Sequence, residues 1–178
     1  EGFLFPDTYR LEPDGTAQAL VDDMLEIFQL RVTAEHLQAF HAQGLLLHEA
    51  VTLASIVERE AIVDAERPLI AAVFLRRLRN GLPLESDPTV QYALGQQPTG
   101  EWWKSPLTLL DLEVDSPYNT YRYGGLPPGP IASPGLASLE AVGWPAETTF
   151  LYFRAACDGS GRHEFAETFE QHLLNACP

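Results

Sequence analysis

Apolar residues recur at helical spacing through the first half of the chain and alternate only near its end. Asp14-Gly15-Thr16 forms a turn and cap before an amphipathic stretch at 16–30, where Ala19, Leu20, Leu25, Ile27 and Phe28 are apolar. Thr33 opens a second helix that stops near Gly44, and a third is predicted over 47–63. A fourth, over 65–80, sets Leu69, Ile70, Val73, Phe74 and Leu78 on one side and Arg76, Arg77 and Arg79 on the other. Asn80-Gly81 is its C-terminal stop.

Beyond Pro83 the pattern changes. Asp87 and Pro88 suit the N-cap and first position of a short helix ending near Gly95. Residues 96–134 are rich in Pro, Gly, Asn and Tyr, with one short helix expected at 106–112. So long an irregular segment is functional or disordered as a rule, and Trp102, Trp103, Tyr118, Tyr121 and Tyr123 argue for order. Ser133-Pro134 caps a helix to about Val142. Residues 150–155 alternate as a strand, 158–161 turn, 163–165 return as its hairpin partner, and a last helix covers 167–176. The expected class is α+β, mainly helical, with a small β-hairpin and long ordered loops.

Length and composition narrow this further. The 178 residues suit a single domain over 1–178, and 46% hydrophobic with 20% charged residues is a globular composition. A formal net charge of −14 argues against nucleic acid or anionic lipid as partners. No stretch approaches the roughly 20 apolar residues of a membrane helix. The chain starts at Glu1 inside a patterned segment, as a piece of a longer protein would. Cys157 and Cys177 cannot make a four-ligand zinc site; a disulfide and two free thiols both stay open.

Glu58 and Glu60 sit within the apolar run 53–62, where a carboxyl group is either paired or used. Burial disfavours its charged form, and a raised pKa lets it donate a proton near neutral pH. On a helix the two lie about 200° apart, flanking an apolar stripe of Leu47, Ala50, Val51, Leu53, Ala54, Val57 and Ala61 on opposite sides. Glu60 stacks beyond Ile56 and Val57, Glu58 beyond the smaller Ala54 and Ser55. That leans only gently to Glu60, and periodicity does not choose between them.

Other chemistry finds no support. His48-Glu49 lacks the second histidine of a zinc-protease motif, with Thr52 in its place. There is no nucleophile elbow and no phosphate-binding glycine loop, so neither metal nor cofactor is expected. The segments 116–121 (Ser-Pro-Tyr-Asn-Thr-Tyr) and 125–131 (Gly-Leu-Pro-Pro-Gly-Pro-Ile) can be rigid without regular hydrogen bonding. They suit either a carbohydrate groove or a self-packed loop.

Together these segments resemble the MltG (YceG-like) endolytic murein transglycosylases. The resemblance runs over nearly the whole chain: residues 2–9 (Gly-Phe-Leu-Phe-Pro-Asp-Thr-Tyr), 54–60 (Ala-Ser-Ile-Val-Glu-Arg-Glu), 73–78, 86–90, 116–121, 125–131, 151–153 and 163–165. It implies a lysozyme-like catalytic domain that cuts the β-1,4 bond between N-acetylmuramic acid and N-acetylglucosamine without water, leaving 1,6-anhydromuramyl ends. The implied partners are peptidoglycan glycan strands and cell-wall synthesis enzymes. The implied place is the outer face of the inner membrane, through an N-terminal anchor and a LysM-like region lying outside this chain. The family's catalytic glutamate falls on Glu60, with Ala61 where the broader lysozyme-like transglycosylases carry serine.

One carboxyl group suffices for that reaction, as acid to the leaving oxygen and then as base to the C6 hydroxyl. A hydrolase of the common kind needs a second carboxylate about 5–9.5 Å away. Glu58 points elsewhere, and Asp87 is placed to cap a helix. Asn119, Tyr121, Tyr118, Ser86 and Thr89 are the candidates for binding sugar or stabilising the oxocarbenium-like state. The alternatives are a muramidase-type hydrolase using Asp87 and a non-catalytic glycan-binding or scaffold module.

Overall fold

The structure, a computed structural model, describes residues 1–177. Seven α-helices and one hairpin follow in order: α1 (Ala17–Arg31), α2 (Ala34–Ala42), α3 (Leu47–Glu60), α4 (Arg67–Arg79), α5 (Asp87–Leu94), α6 (Leu136–Gly143), β1 (Tyr152–Ala155), β2 (His163–Ala166) and α7 (Phe169–Leu174). Short 3₁₀ turns lie at Asp64–Glu66 and Asp111–Glu113. The class is mixed α+β and mainly helical, as the sequence pattern indicates.

α3 is the central rod. Residues 50–57 are buried without a break, polar Thr52 and Ser55 included. The apolar stripe read from the sequence therefore underestimates its burial, because α4, α5 and α6 all pack against it. The two hydroxyls are admitted because both are bonded. Thr52 donates to the His48 carbonyl at 2.8 Å and Ser55 to the Thr52 carbonyl at 2.7 Å; Ser55 also accepts the Ile131 amide at 2.9 Å. The last of these pins the Gly/Pro segment onto the helix.

Element ends depart from expectation where side chains are diverted. α3 stops at Glu60, not at 63: Ala61 is extended, and Pro68 fixes the first turn of α4 after a three-residue 3₁₀ link. The N-cap of α5 is Ser86, and Asp87 is the first helical residue. Ser86 makes no side-chain cap bond, since its hydroxyl is spent elsewhere. The N-cap of α6 is Gly135, not Ser133, and Glu58 from α3 accepts the Gly135 amide and the Ser138 hydroxyl. A helix does not form at 106–112 because the Asp111 carboxylate binds the Thr108 amide and hydroxyl and the Lys104 ammonium, holding a tighter turn.

The hairpin is antiparallel, with Phe153 opposite Phe165. Phe153 meets Phe74 of α4 edge-on at 5.5 Å between centroids, which joins the sheet to the helical core. Arg77 makes the same junction polar: Nε donates to the Pro83 carbonyl at 2.7 Å, Nη1 to the Leu151 carbonyl at 3.1 Å, and Nη2 pairs with Glu85. Its expected place on the solvated side of α4 is thus corrected; only 7% of Arg77 is exposed. Cys157 and Cys177 form a disulfide that ties the hairpin turn to the end of α7. No helix among the described residues is long and apolar enough to cross a membrane.

Candidate active site

Glu60 is the last residue of α3 and one wall of a cavity of about 720 Å³. The opposite walls come from α4 (Val73, Arg77), the 82–87 link, Tyr121, and the hairpin with α7 (Tyr152, Phe153, His163, Phe169, His172). Ending the helix here matters: it releases Glu60 from the core while keeping its backbone on the buried central helix. The Ser86 hydroxyl donates to Glu60 Oε1 at 2.5 Å.

Glu60 is half-buried at the cavity wall, and protein crowds its carboxyl heavily. Desolvation pushes its pKa from the ordinary 4.5 up to about 7. The Ser86 hydrogen bond opposes that rise, the nearby Asp87 charge adds to it, and Arg59 lowers it weakly. A substantial fraction of Glu60 therefore carries a proton at neutral pH, as a general acid must.

Ser86 is itself held in place. Its amide donates to Thr120 Oγ1 at 3.0 Å, and Thr89 Oγ1 lies 2.8 Å from Thr120 Oγ1 and donates to the Ser86 carbonyl at 2.6 Å. Thr89 and Thr120 are buried, so this hydroxyl cluster stiffens the first turn of α5 behind Ser86. Just before it, Glu85 has a positive φ of 51°, an unusual conformation for a side-chain-bearing residue, and is clamped by Arg77.

The loop candidates divide by position. Tyr121 lines the cavity, and its hydroxyl donates to Asp87 Oδ1 at 2.6 Å. Burial and that acidic partner raise its pKa, so it stays a neutral donor. Asn119 is fully buried: its amide nitrogen donates to the Leu112 and Val114 carbonyls at 2.9 and 2.8 Å, and its oxygen accepts the Tyr121 amide at 3.0 Å. It shapes the loop that presents Tyr121 and exposes no group of its own. Tyr118 lies away from the cavity, packed on Tyr92 at 4.8 Å. Asp87 lines the cavity instead of capping α5 with its side chain.

Glu58 faces the other way. Its Oε2 accepts the Gly135 amide at 3.1 Å and the Ser138 hydroxyl at 2.6 Å, and Oε1 lies 3.7 Å from Arg67 Nη2. It caps α6 from outside that helix and touches no cavity shared with Glu60.

Sequence reasoning missed the far wall. Arg77, Tyr152 and His163, whose Nδ1 lies 2.8 Å from Glu66 Oε2, are brought there by tertiary packing. The one usable signal was His163-Glu164-Phe165 closing a hairpin within an otherwise helical chain.

The YceG-like family model matches residues 1–177. A Bacillus subtilis (strain 168) protein named endolytic murein transglycosylase is 38% identical over 177 residues, which is 97% of this chain and 46% of that protein. A protein of the same name from Streptococcus pneumoniae serotype 2 (strain D39) is 34% identical over 175 residues, 98% of this chain and 31% of its own length. The crystal structure of a putative YceG-like protein from Listeria monocytogenes superposes with a TM-score of 0.86 at 39% identity, over 97% of this chain and 54% of that one. The chain thus spans less than half the length of the curated relatives it matches. On the extent of these matches, the chain belongs to the YceG-like family.

Proposed function

We propose that this domain is a peptidoglycan lytic transglycosylase unit that cleaves within glycan strands, with Glu60 as its single acid and base. The observation that carries the reading is a carboxyl group with a pKa of about 7 at the wall of a cavity large enough for sugar rings. The names of the relatives supply the substrate class, murein.

Protonated Glu60 gives its proton to the glycosidic oxygen between N-acetylmuramic acid and N-acetylglucosamine as the C1–O bond breaks. The resulting carboxylate then takes the proton from the muramyl C6 hydroxyl while that oxygen bonds to C1. No water is consumed, and Glu60 ends the cycle protonated. Ser86 holds Oε1 by a hydrogen bond that strengthens when Glu60 is charged, which favours the second half of the cycle. Tyr121 and Tyr152 line the cavity and offer aromatic surface for sugar. Asn119 and Thr89 act behind them by fixing Tyr121 and Ser86. Such a protein works at the cell wall, outside the cytoplasm, where the Cys157–Cys177 disulfide is at home.

A hydrolytic second reading rests on Asp87, which lines the same cavity and would activate water. Product masses from isolated glycan strands decide between the two: anhydromuramyl ends support transglycosylation, and products heavier by one water support hydrolysis. Glu60→Gln should remove either activity by about 10²–10⁴-fold while the far-UV spectrum stays native. Undiminished turnover in that variant contradicts the assignment of Glu60. Sugar binding without any turnover in the unmutated chain would make the domain a binding module.

A further inference from the structure

On the face of α4 away from Glu60 lies a second cavity, of about 660 Å³, lined by Arg76, Arg79, Gln43, Leu75, Trp144 and Glu147 among others. Of the ten arginines, four pair with a carboxylate among the described residues: Arg10, Arg31, Arg67 and Arg77. Arg76 and Arg79 take none; neither forms an ion pair among the described residues, even though Glu147 lines the same cavity. Arg79 is nonetheless held in position. Its Nη2 donates to Gln43 Oε1 at 2.6 Å, and Gln43 Nε2 donates in turn to the Gly143 carbonyl at 3.3 Å.

Arg76 is the more telling residue. Its Nε is buried with no hydrogen-bond partner, whereas its terminal nitrogens remain accessible and make no protein hydrogen bond. A guanidinium kept half-buried with a donor unsatisfied carries a desolvation cost that the protein does not offset. An anion at the accessible edge offsets it, by charge and by the bidentate geometry that arginine presents to oxyanions. Trp144, nearly half exposed, and the buried Leu75 and Ala72 add apolar surface beside the two cations. Asn80 and Thr148 add polar groups suited to a peptide backbone.

We propose that this cavity is a docking site for an acidic peptide segment, with Arg76 and Arg79 holding a carboxylate and Trp144 packing on the adjoining side chain. The cavity is far larger than a phosphate ion, and its mixed lining fits a short peptide better than a bare anion. The site is separate from the Glu60 cavity and stands whether or not the glycan-cleaving reading does.

The test titrates the ¹⁵N-labelled chain with acetyl-Glu-Glu-Phe-Glu amide and, separately, with inorganic phosphate, following the arginine Nε–Hε and tryptophan indole signals. Saturable shifts confined to Arg76, Arg79 and Trp144 are expected with the peptide, at lower concentration than with phosphate. Arg76→Gln and Arg79→Gln should each weaken peptide binding by about tenfold or more. Arg76→Lys, which keeps the charge and the fold but loses the fork, should lie between. Arg10→Gln, at an exposed arginine elsewhere, should change nothing. No saturable shift with the peptide, tighter binding of phosphate, or equal loss in Arg10→Gln overturns the proposal.

Discussion

Glu58 and Glu60 stand two residues apart on one helix and live in opposite electrostatic worlds. Glu58 meets a guanidinium, a backbone amide and a hydroxyl, so its charge is fully used in joining α3 to α6. Glu60 meets one hydroxyl and otherwise crowding, with the charged Asp87 nearby, so its charge is disfavoured. The comparison teaches that burial alone does not make an acid. Desolvation without an ion pair is what would suit Glu60 to donate a proton on the proposed reading, and the turn of about 200° between the two residues lets one helix carry both environments.

The largest expected separation between them is catalytic. Glu60→Gln should lose about 10²–10⁴-fold in the rate of anhydromuramyl formation, while Glu58→Gln should keep the rate within a few-fold. A loss shared equally by both variants would break the comparison.

Stability should separate them next, with opposite sign. In the unfolded chain Glu60 ionises near its ordinary 4.5, but in the folded state only near 7. Between those values the unfolded state releases a proton that the folded state keeps, so stability falls as pH rises through the window. Glu60→Gln removes this loss. It should match the unmutated domain at pH 4 and exceed it at pH 8 by up to about 3 kcal/mol, at 1.36 kcal/mol per unit of pKa. Denaturant titrations at both pH values check this. Glu58→Ala, in contrast, should cost about 1–3 kcal/mol at neutral pH, because it leaves the Gly135 amide and the Ser138 hydroxyl without their acceptor.

The smallest effect concerns Ser86. Its hydrogen bond lowers the Glu60 pKa, so Ser86→Ala should move the alkaline limb of the pH–rate profile to higher pH, with only a several-fold change in maximal rate. A limb that stays in place, or moves to lower pH, would remove Ser86 from the tuning of Glu60.

Much of this contrast was legible along the chain, and some was not. Helix periodicity placed α1 to α4 within a few residues and showed that Glu58 and Glu60 diverge. It could not say which carboxyl would find Arg67, a partner that α6 packing brings in together with Ser138. Nor could it see that Ser86 would surrender its cap to Glu60, or that Arg77 would turn inward to bind the hairpin, since both depend on contacts distant in sequence. The loop at 116–121 was recognised as ordered and polar. The division within it, Tyr121 facing the cavity while Asn119 is consumed by backbone carbonyls, appears only once the chain is folded.

The most direct measurement is a carboxyl ¹³C NMR titration of the domain labelled at glutamate Cδ. One glutamate resonance should titrate near the value of about 7 expected for Glu60 and vanish in Glu60→Gln but persist in Glu58→Gln. If every glutamate titrates in the ordinary carboxylate range, or if the displaced resonance vanishes with Glu58 instead, Glu60 is not the acid of this site.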